Sequence, residues 1–358
     1  MKKLLSVLLT VLLLLGAAAL AEEAAPAELP TLTNVTAQTK IGDYGQLATG
    51  FELTFSGDVS GLGLTAASFA FENNKVHPSL PNVSAGAVAV KAIGEKLTVE
   101  VAPFLYAQGF RATIVKDGAV LATFTAADVT AMTIEVVDEF AAGTTEGGLQ
   151  YRLFVPAHEE PLPLVIWFHG GGEGGTDNLK PLTANRGAVC IAEPAYQARH
   201  ACAVLAPQSA NSWSADELNE IASVAEGLIA DGTVDAARVY AVGLAAQQAT
   251  LRFSASHRDL LAAAMPIIYW KMFDEDWSPL ADLPMWCAIA QNDFTGEAPN
   301  MQEFVDNMKA AGNENIRCSI YTDAELTAYG LFGGLTHWGW IPTINNAEMI
   351  DWLFSNSK

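Results

Sequence analysis

Two patterns of hydrophobic and polar positions divide the chain. From about Leu32 to Thr130 the apolar residues alternate or cluster as β-branched runs: TNVTAQTK, LATGFELTFSG, SFAFENN, KLTVEVA and RATIVKDGAVLATF, with Gly, Asn and Asp between them. Several short strands with turn signals and no long helical period predict an antiparallel sandwich. From about Met132 the pattern changes. PLVIWFHG, CAVLAPQ, RVYAVG, MWCAIAQND and IRCSIYTD are short apolar runs, each closed by a turn or loop, with helix-like stretches such as SADELNEIASVAEGLIADG between several of them. Apolar strands alternating with helices predict a mostly parallel sheet covered on both faces. Ligands then gather at the carboxyl ends of its strands.

The first 30 residues fit neither pattern. Lys2 and Lys3 precede an apolar run from Leu4 to Leu15, and Ala19-Leu20-Ala21 is a small-x-small site before Glu22. This grammar predicts a cleavable signal peptide over 1–21 and an exported protein. The run is short against the ~20 apolar residues of a membrane span, and no second stretch replaces it. The expected organisation is a signal over 1–21, a linker over 22–31, a β-sandwich over 32–130 and an α/β domain over 131–358.

Composition narrows the partners. The 358 residues carry 19 Lys and Arg against 40 Asp and Glu, a formal net charge of −21. Such a surface repels phosphate backbones and anionic membranes, so nucleic acid is not expected as a partner. No cofactor or metal is implied, and oligomeric state is open. Export makes disulfides feasible among Cys190, Cys202, Cys287 and Cys318. Spacing favours Cys190 with Cys202 and Cys287 with Cys318; buried free thiols are the alternative.

Four strand ends carry residues suited to chemistry. VIWF is followed by HGGGEGGTDN, a glycine-rich turn whose backbone N–H groups at Gly170, Gly171 and Gly172 suit a developing oxyanion. DAARVYAVG leads into GLAAQQ, a strand, tight turn and helix start. MWCAIAQNDF ends a strand at Asp293, and GGLTHWGW presents His337 in a loop. The order elbow, acid, base is that of the α/β-hydrolase arrangement.

On these residues, with VVDEFAAGTTEGGLQYRLFVP, VLAPQ and THWGWIPTINNAEMIDWLF, the chain resembles the secreted esterases related to polyhydroxybutyrate depolymerases and feruloyl esterases. It is most similar to those with an N-terminal immunoglobulin-like domain, which DYGQLATGFELTFSGDVSGLGLTAASFAFEN resembles more loosely. The resemblance implies an α/β-hydrolase fold behind an all-β immunoglobulin-like sandwich. By position His337 matches the base and Asp293 the orienting acid, with Ala246 beside the oxyanion glycines. The family's elbow usually reads G-L-S-M-G-G, so Ala245 stands where the nucleophile would be and Gln247 and Gln248 replace glycines.

Alanine offers no lone pair to a carbonyl carbon. Losing the nucleophile of such a unit costs on the order of 10⁶ in rate. Ser254 and Ser256 lie too far along the following helix to substitute, at ~1.5 Å rise per residue. Ser209, Ser212 and Ser214 fall after another strand without an elbow, and Cys190 and Cys287 are weaker alternatives. A pocket lined by Gln247, Gln248, Trp213 and Trp338 is nevertheless expected, with Trp270, Trp277 and Trp340 also in loops or strand ends. The expected protein is an esterase homologue that has lost serine-ester hydrolysis and keeps binding of a small or polymeric ester. The alternatives are an ester hydrolase using another nucleophile or water activated by His337, and a structural surface protein.

Overall fold

A computed structural model describes residues 28–81, 83–106, 109–210, 213–244, 248–268 and 276–358. The expected signal peptide, most of the linker, Ser212, Ala245, Ala246, Gln247 and Trp270 lie outside the described residues.

The N-terminal part is an eight-stranded sheet with the order β7-β6-β3-β4-β5-β2-β1-β8. Its strands are β1 (Leu32–Gly42), β2 (Gly45–Phe55), β3 (Phe69–Asn74), β4 (Val83–Ile93), β5 (Lys96–Leu105), β6 (Arg111–Lys116), β7 (Ala119–Thr125) and β8 (Val129–Ile134). Alternation along β2 and β5 turns one side chain in two toward a core of Phe51, Phe71, Phe104, Phe110 and Phe124. Phe51 is fully buried, with ring centroids 5.1–5.8 Å from Phe71, Phe110 and Phe124. Such aromatic contacts each add ~1 kcal/mol to the burial of the rings.

Two features depart from the expectation of a wholly antiparallel unit ending near residue 130. Strand β8 runs parallel to β1 and continues across the expected boundary to Ile134. Ile134 and Ile41, at the ends of these two strands, belong to the second hydrophobic cluster, and Met132 packs against both clusters. The chain therefore enters its second part along a strand of the first, which is why no loop-like stretch marks the change.

The second sheet has the order β16-β15-β14-β13-β11-β12-β10-β9. It comprises β9 (Ala141–Thr144), β10 (Gln150–Phe154), β11 (Leu162–Phe168), β12 (Ala203–Gln208), β13 (Val234–Gly243), β14 (Ala263–Pro266), β15 (Met285–Ala290) and β16 (Ile316–Tyr321). Strands β11 to β16 pair in parallel, and β10 pairs antiparallel with β9 and β12. All seven residues of β11 are buried, as are all six of β12 and of β15.

The longer helices lie between strands. Helix α1 (Ala215–Ala230) starts at Ser214, whose hydroxyl accepts from the Glu217 N–H while Glu217 reaches back to the Ser214 N–H, a reciprocal cap. Helix α2 (Ala249–Ser256) follows β13, and α3 (Ala298–Ala310) joins β15 to β16. The tightest approach to a neighbouring backbone is at Gly243, where a Cβ would overlap the Phe168 carbonyl of β11, so only glycine ends β13 there.

All eight tryptophans lie beyond residue 160, and the seven among the described residues belong to or pack against the second cluster, so their fluorescence reports on it. Phe51→Ala is expected to cost the first cluster roughly 3–5 kcal/mol. In urea the far-UV circular dichroism transition should then begin earlier, with the tryptophan midpoint little moved. Equal shifts of both signals would show a single cooperative unit.

Candidate active site

Because β11, β13 and β15 are parallel, their carboxyl ends open on one edge of the sheet. Consecutive strands β11, β12 and β13 lie with β12 and β13 on opposite sides of β11, the arrangement that leaves a crevice at the carboxyl end of the middle strand.

At the end of β15, Asp293 has a fully buried side chain. His337 Nδ1 donates to it, at 2.8 Å from Oδ2 and 3.0 Å from Oδ1. The Thr295 hydroxyl and backbone N–H donate to Oδ1 at 2.7 and 2.9 Å. Burial pushes the Asp293 carboxyl up, but the hydrogen bonds from His337 and Thr295 outweigh it and hold the group below its ordinary value. The loop carrying His337 is tied to the same strand end through the Thr336 hydroxyl, which donates to the Asn292 carbonyl at 3.2 Å. With Nδ1–H committed to the carboxylate, Nε2 of the neutral imidazole carries the lone pair and can accept a proton. Phe294, 71% exposed, packs its ring 4.4 Å from that of His337.

After β11 the chain turns at His169. Its Nε2 accepts from the Ser209 N–H at 3.0 Å, so Nδ1 is the protonated nitrogen and donates to the Gly170 carbonyl at 2.7 Å. The ring is neutral, and burial lowers its pKa. It fastens the ends of β11 and β12 together.

Glu173 was not singled out by the sequence reading. Its buried carboxylate accepts from the Gly170 N–H at 2.7 Å and from the Asn185 side-chain amide. Gly170 therefore has its N–H occupied and is withdrawn from the expected oxyanion donors; Gly171 and Gly172 are exposed. The signal was present in the spacing, since a Glu three residues after a turn residue is the reciprocal-cap pattern. Leu244, at the end of β13, stands 3.4 Å from where a Gly170 Cβ would be, so the glycine-rich loop and the β13 turn are adjacent.

Residues 245–247 connect β13 to α2. Gln248, which caps α2, is in the left-handed region with φ 56° and is 4% exposed, and neither amide atom of its side chain has a partner. In the resembled elbow this position is glycine, the residue that takes this backbone conformation without strain.

Trp213 is buried, packed on Phe168 and His169 with ring centroids at 5.4 and 4.7 Å, so it is a wall of the core and not an open pocket surface. Trp338 is half-buried and stacks on Trp340 at 5.4 Å. Trp277 packs on Phe304. The cysteines are free, contrary to the favoured pairs. Cys190 donates to the Gly187 carbonyl, Cys202 accepts from Gln197, and Cys287 and Cys318 are register neighbours on β15 and β16. Burial raises the pKa of Cys190 and Cys287, which disfavours the nucleophilic thiolate. Ser209 Oγ is buried without a partner; Ser214 caps α1, Ser254 donates to the Thr250 carbonyl, and Ser256 contacts His257. None of these four serines bonds to His337.

No family model and no curated protein matches the chain. Among solved structures it is similar to one titled a thermostable esterase, at TM-score 0.71 and 26% identity, covering 91% of this chain and 100% of that one. The chain has the α/β-hydrolase fold. That alignment is longer than the second part alone could supply, so it includes the N-terminal strands. An esterase from Pyrobaculum calidifontis (TM-score 0.41, 13% identity, 62% of this chain and 86% of that one) is also similar. So is a putative dienelactone hydrolase from Klebsiella pneumoniae (TM-score 0.43, 16% identity, 60% and 98%). The loop after β11 and Asp293 after β15 lie beyond the carboxyl ends of their strands, and His337, in the loop after β16, reaches Asp293.

Burial raises the Glu173 pKa to about 7 despite the two hydrogen bonds it accepts. Between the ordinary value of 4.5 and about 7 the unfolded state has lost a proton that the folded state keeps. Stability from this group therefore falls as pH rises through that window, by on the order of 3 kcal/mol in all. His169 gives the opposite slope, since its lowered pKa costs stability as pH falls below 6.5. Urea unfolding of the parent minus that of Glu173→Gln isolates the Glu173 contribution. The difference should slope downward from pH 4.5 to 7 and flatten above it.

Proposed function

We propose that this protein is an exported esterase homologue that has lost serine-ester hydrolysis and retains a binding role toward a small or polymeric ester. The observation that carries the reading is the hydrogen bond from His337 to buried Asp293, kept in a chain whose sequence has Ala245 at the nucleophile station. The acid and base keep a working geometry, while residue 245 cannot attack a carbonyl. The oxyanion loop and binding surfaces alone sustain roughly 10³–10⁴ over water in such sites, so the parent should turn over esters very slowly at best. The leader over 1–21 supports export.

Two glycine positions of the resembled elbow hold Gln247 and Gln248, which favours a natural loss over a single Ser→Ala replacement. A serine becomes nucleophilic only when its hydroxyl meets the base at about 2.6–3.2 Å. A misplacement of ~1 Å costs on the order of 10²-fold. Hydrolysis of p-nitrophenyl acetate and butyrate should therefore recover little in Ala245→Ser. It should recover roughly 10²-fold more in Ala245→Ser/Gln247→Gly. Strong parent turnover abolished by His337→Ala would favour water activated by His337 instead. Strong turnover that survives His337→Ala would remove this site from the function altogether.

A further inference from the structure

We propose that the tip of the β1–β2 hairpin, together with His77, positions His337: Asp43, Tyr44 and His77 clamp both ends of the segment 329–345 that carries it. The inference rests on reading Asp293 and His337 as the retained half of a hydrolase site.

The segment leaves α4 (Asp323–Ala328), passes His337, and ends after α5 (Trp340–Ile344) at Asn345. At its start the Tyr44 hydroxyl donates to the Tyr329 carbonyl. His77 Nδ1 accepts from the Ser79 N–H at 3.1 Å, which leaves Nε2 as the protonated nitrogen, and Nε2 donates to the Gly330 carbonyl at 2.8 Å. The His77 ring stacks on Phe332 with centroids 5.2 Å apart and planes within 13°. Gly330 has φ +72°, and a Cβ there would collide with the Tyr44 hydroxyl, so the tyrosine and the turn fit only as a pair.

At the other end the Asn345 side-chain amide donates to Asp43 at 3.3 Å, and Arg186 bridges Asp43 and Asn345 Oδ1 at 3.3 and 3.0 Å. Arg186 is itself held by both carboxylate oxygens of Glu193. Between the two ends Tyr44 lies 6.4 Å from Trp338, the residue after His337. Within the second part the loop's other side-chain ties are His337 to Asp293, Thr336 to Asn292, Tyr321 to Thr343 and Tyr196 to Ile344. The N-terminal part thus ties both ends of the segment that carries the histidine, through residues more than 250 positions away in sequence. Asp43, Tyr44 and His77 act through the loop and are positioning residues, not groups of the site itself.

The test uses the full chain with ¹⁵N-labelled histidine and reads the low-field Nδ1–H proton that His337 shares with Asp293, assigned by its disappearance in His337→Gln. In Tyr44→Phe/His77→Ala, which keeps the aromatic ring at 44 but removes both donors, this proton should exchange with water at least about tenfold faster. Tyr44→Phe/His77→Gln, whose side-chain amide stands where Nε2 stood, should recover part of the protection. Phe51→Leu, which loosens the N-terminal core without touching the loop, should leave the proton unchanged at a comparable loss of Tm. Unchanged exchange in folded Tyr44→Phe/His77→Ala would overturn the clamp, and so would equal acceleration in Phe51→Leu. The readout needs no turnover, so its failure is distinct from failure of the restored serine to act.

Discussion

A strand buried on both faces constrains everything that follows it. Every residue of β11 is hidden, so both sides of the sheet must be covered, and its parallel neighbours β12 and β13 lie on opposite sides of it. That opens a crevice at the carboxyl end of β11. Parallel pairing then delivers the ends of β13 and β15 to the same edge. The glycine-rich loop, the end of β13 and Asp293 all lie at that edge because strand direction leaves them no other. The contact of Gly243 against the Phe168 carbonyl sets how closely the first two approach.

Polar groups in that crevice are held by donors placed for them. Asp293 accepts from His337 and twice from Thr295, and Glu173 accepts from Gly170 and Asn185. A buried carboxylate without such donors would lose several kcal/mol to desolvation. Gln248 is the contrast: its amide is buried with neither atom bonded, on a left-handed backbone. An unsatisfied buried amide costs about 1–3 kcal/mol. The crevice is therefore well satisfied at its acid–base pair and at its glycine-rich loop, and poorly satisfied beside the residues that depart from the elbow pattern.

Much of this was legible in the sequence because the signals were local. Apolar runs such as LPLVIWF and MWCAIA announced buried parallel strands, with Asp293 just beyond one of them and His337 in a glycine- and aromatic-rich loop further on. What escaped was set by distant partners. VTAMTI in β8 has a weak alternating pattern, and its parallel pairing with β1, some 95 residues earlier, decides where it belongs. The commitment of the Gly170 N–H depends on a side chain that folds back from Glu173. Four cysteines with suggestive spacing remain unpaired because spacing does not fix Sγ positions. Tyr44 and His77 read as ordinary turn and loop residues until the fold sets them against Tyr329 and Gly330.

The acid–base pair does not need a serine in order to persist. Thr295 and His337 satisfy Asp293, and the hairpin clamp and Thr336 hold the loop, so the pair is stable in its own right. Its retention alone therefore says little about catalysis. Exposure of the imidazole says more. A histidine kept only for structure gains by being closed in, as His169 is at 2% exposure where it fastens β11 to β12. The His337 side chain keeps 22% of its surface open, beside a phenylalanine that is itself 71% exposed. An apolar ring left in solvent next to an open imidazole costs burial that the fold had the means to provide, since Trp340 and Leu335 nearby are buried. The carboxyl edge of the sheet thus keeps an open, partly aromatic surface beside the Asp293–His337 pair, and the proposed binding role rests on that exposure more than on the pair itself.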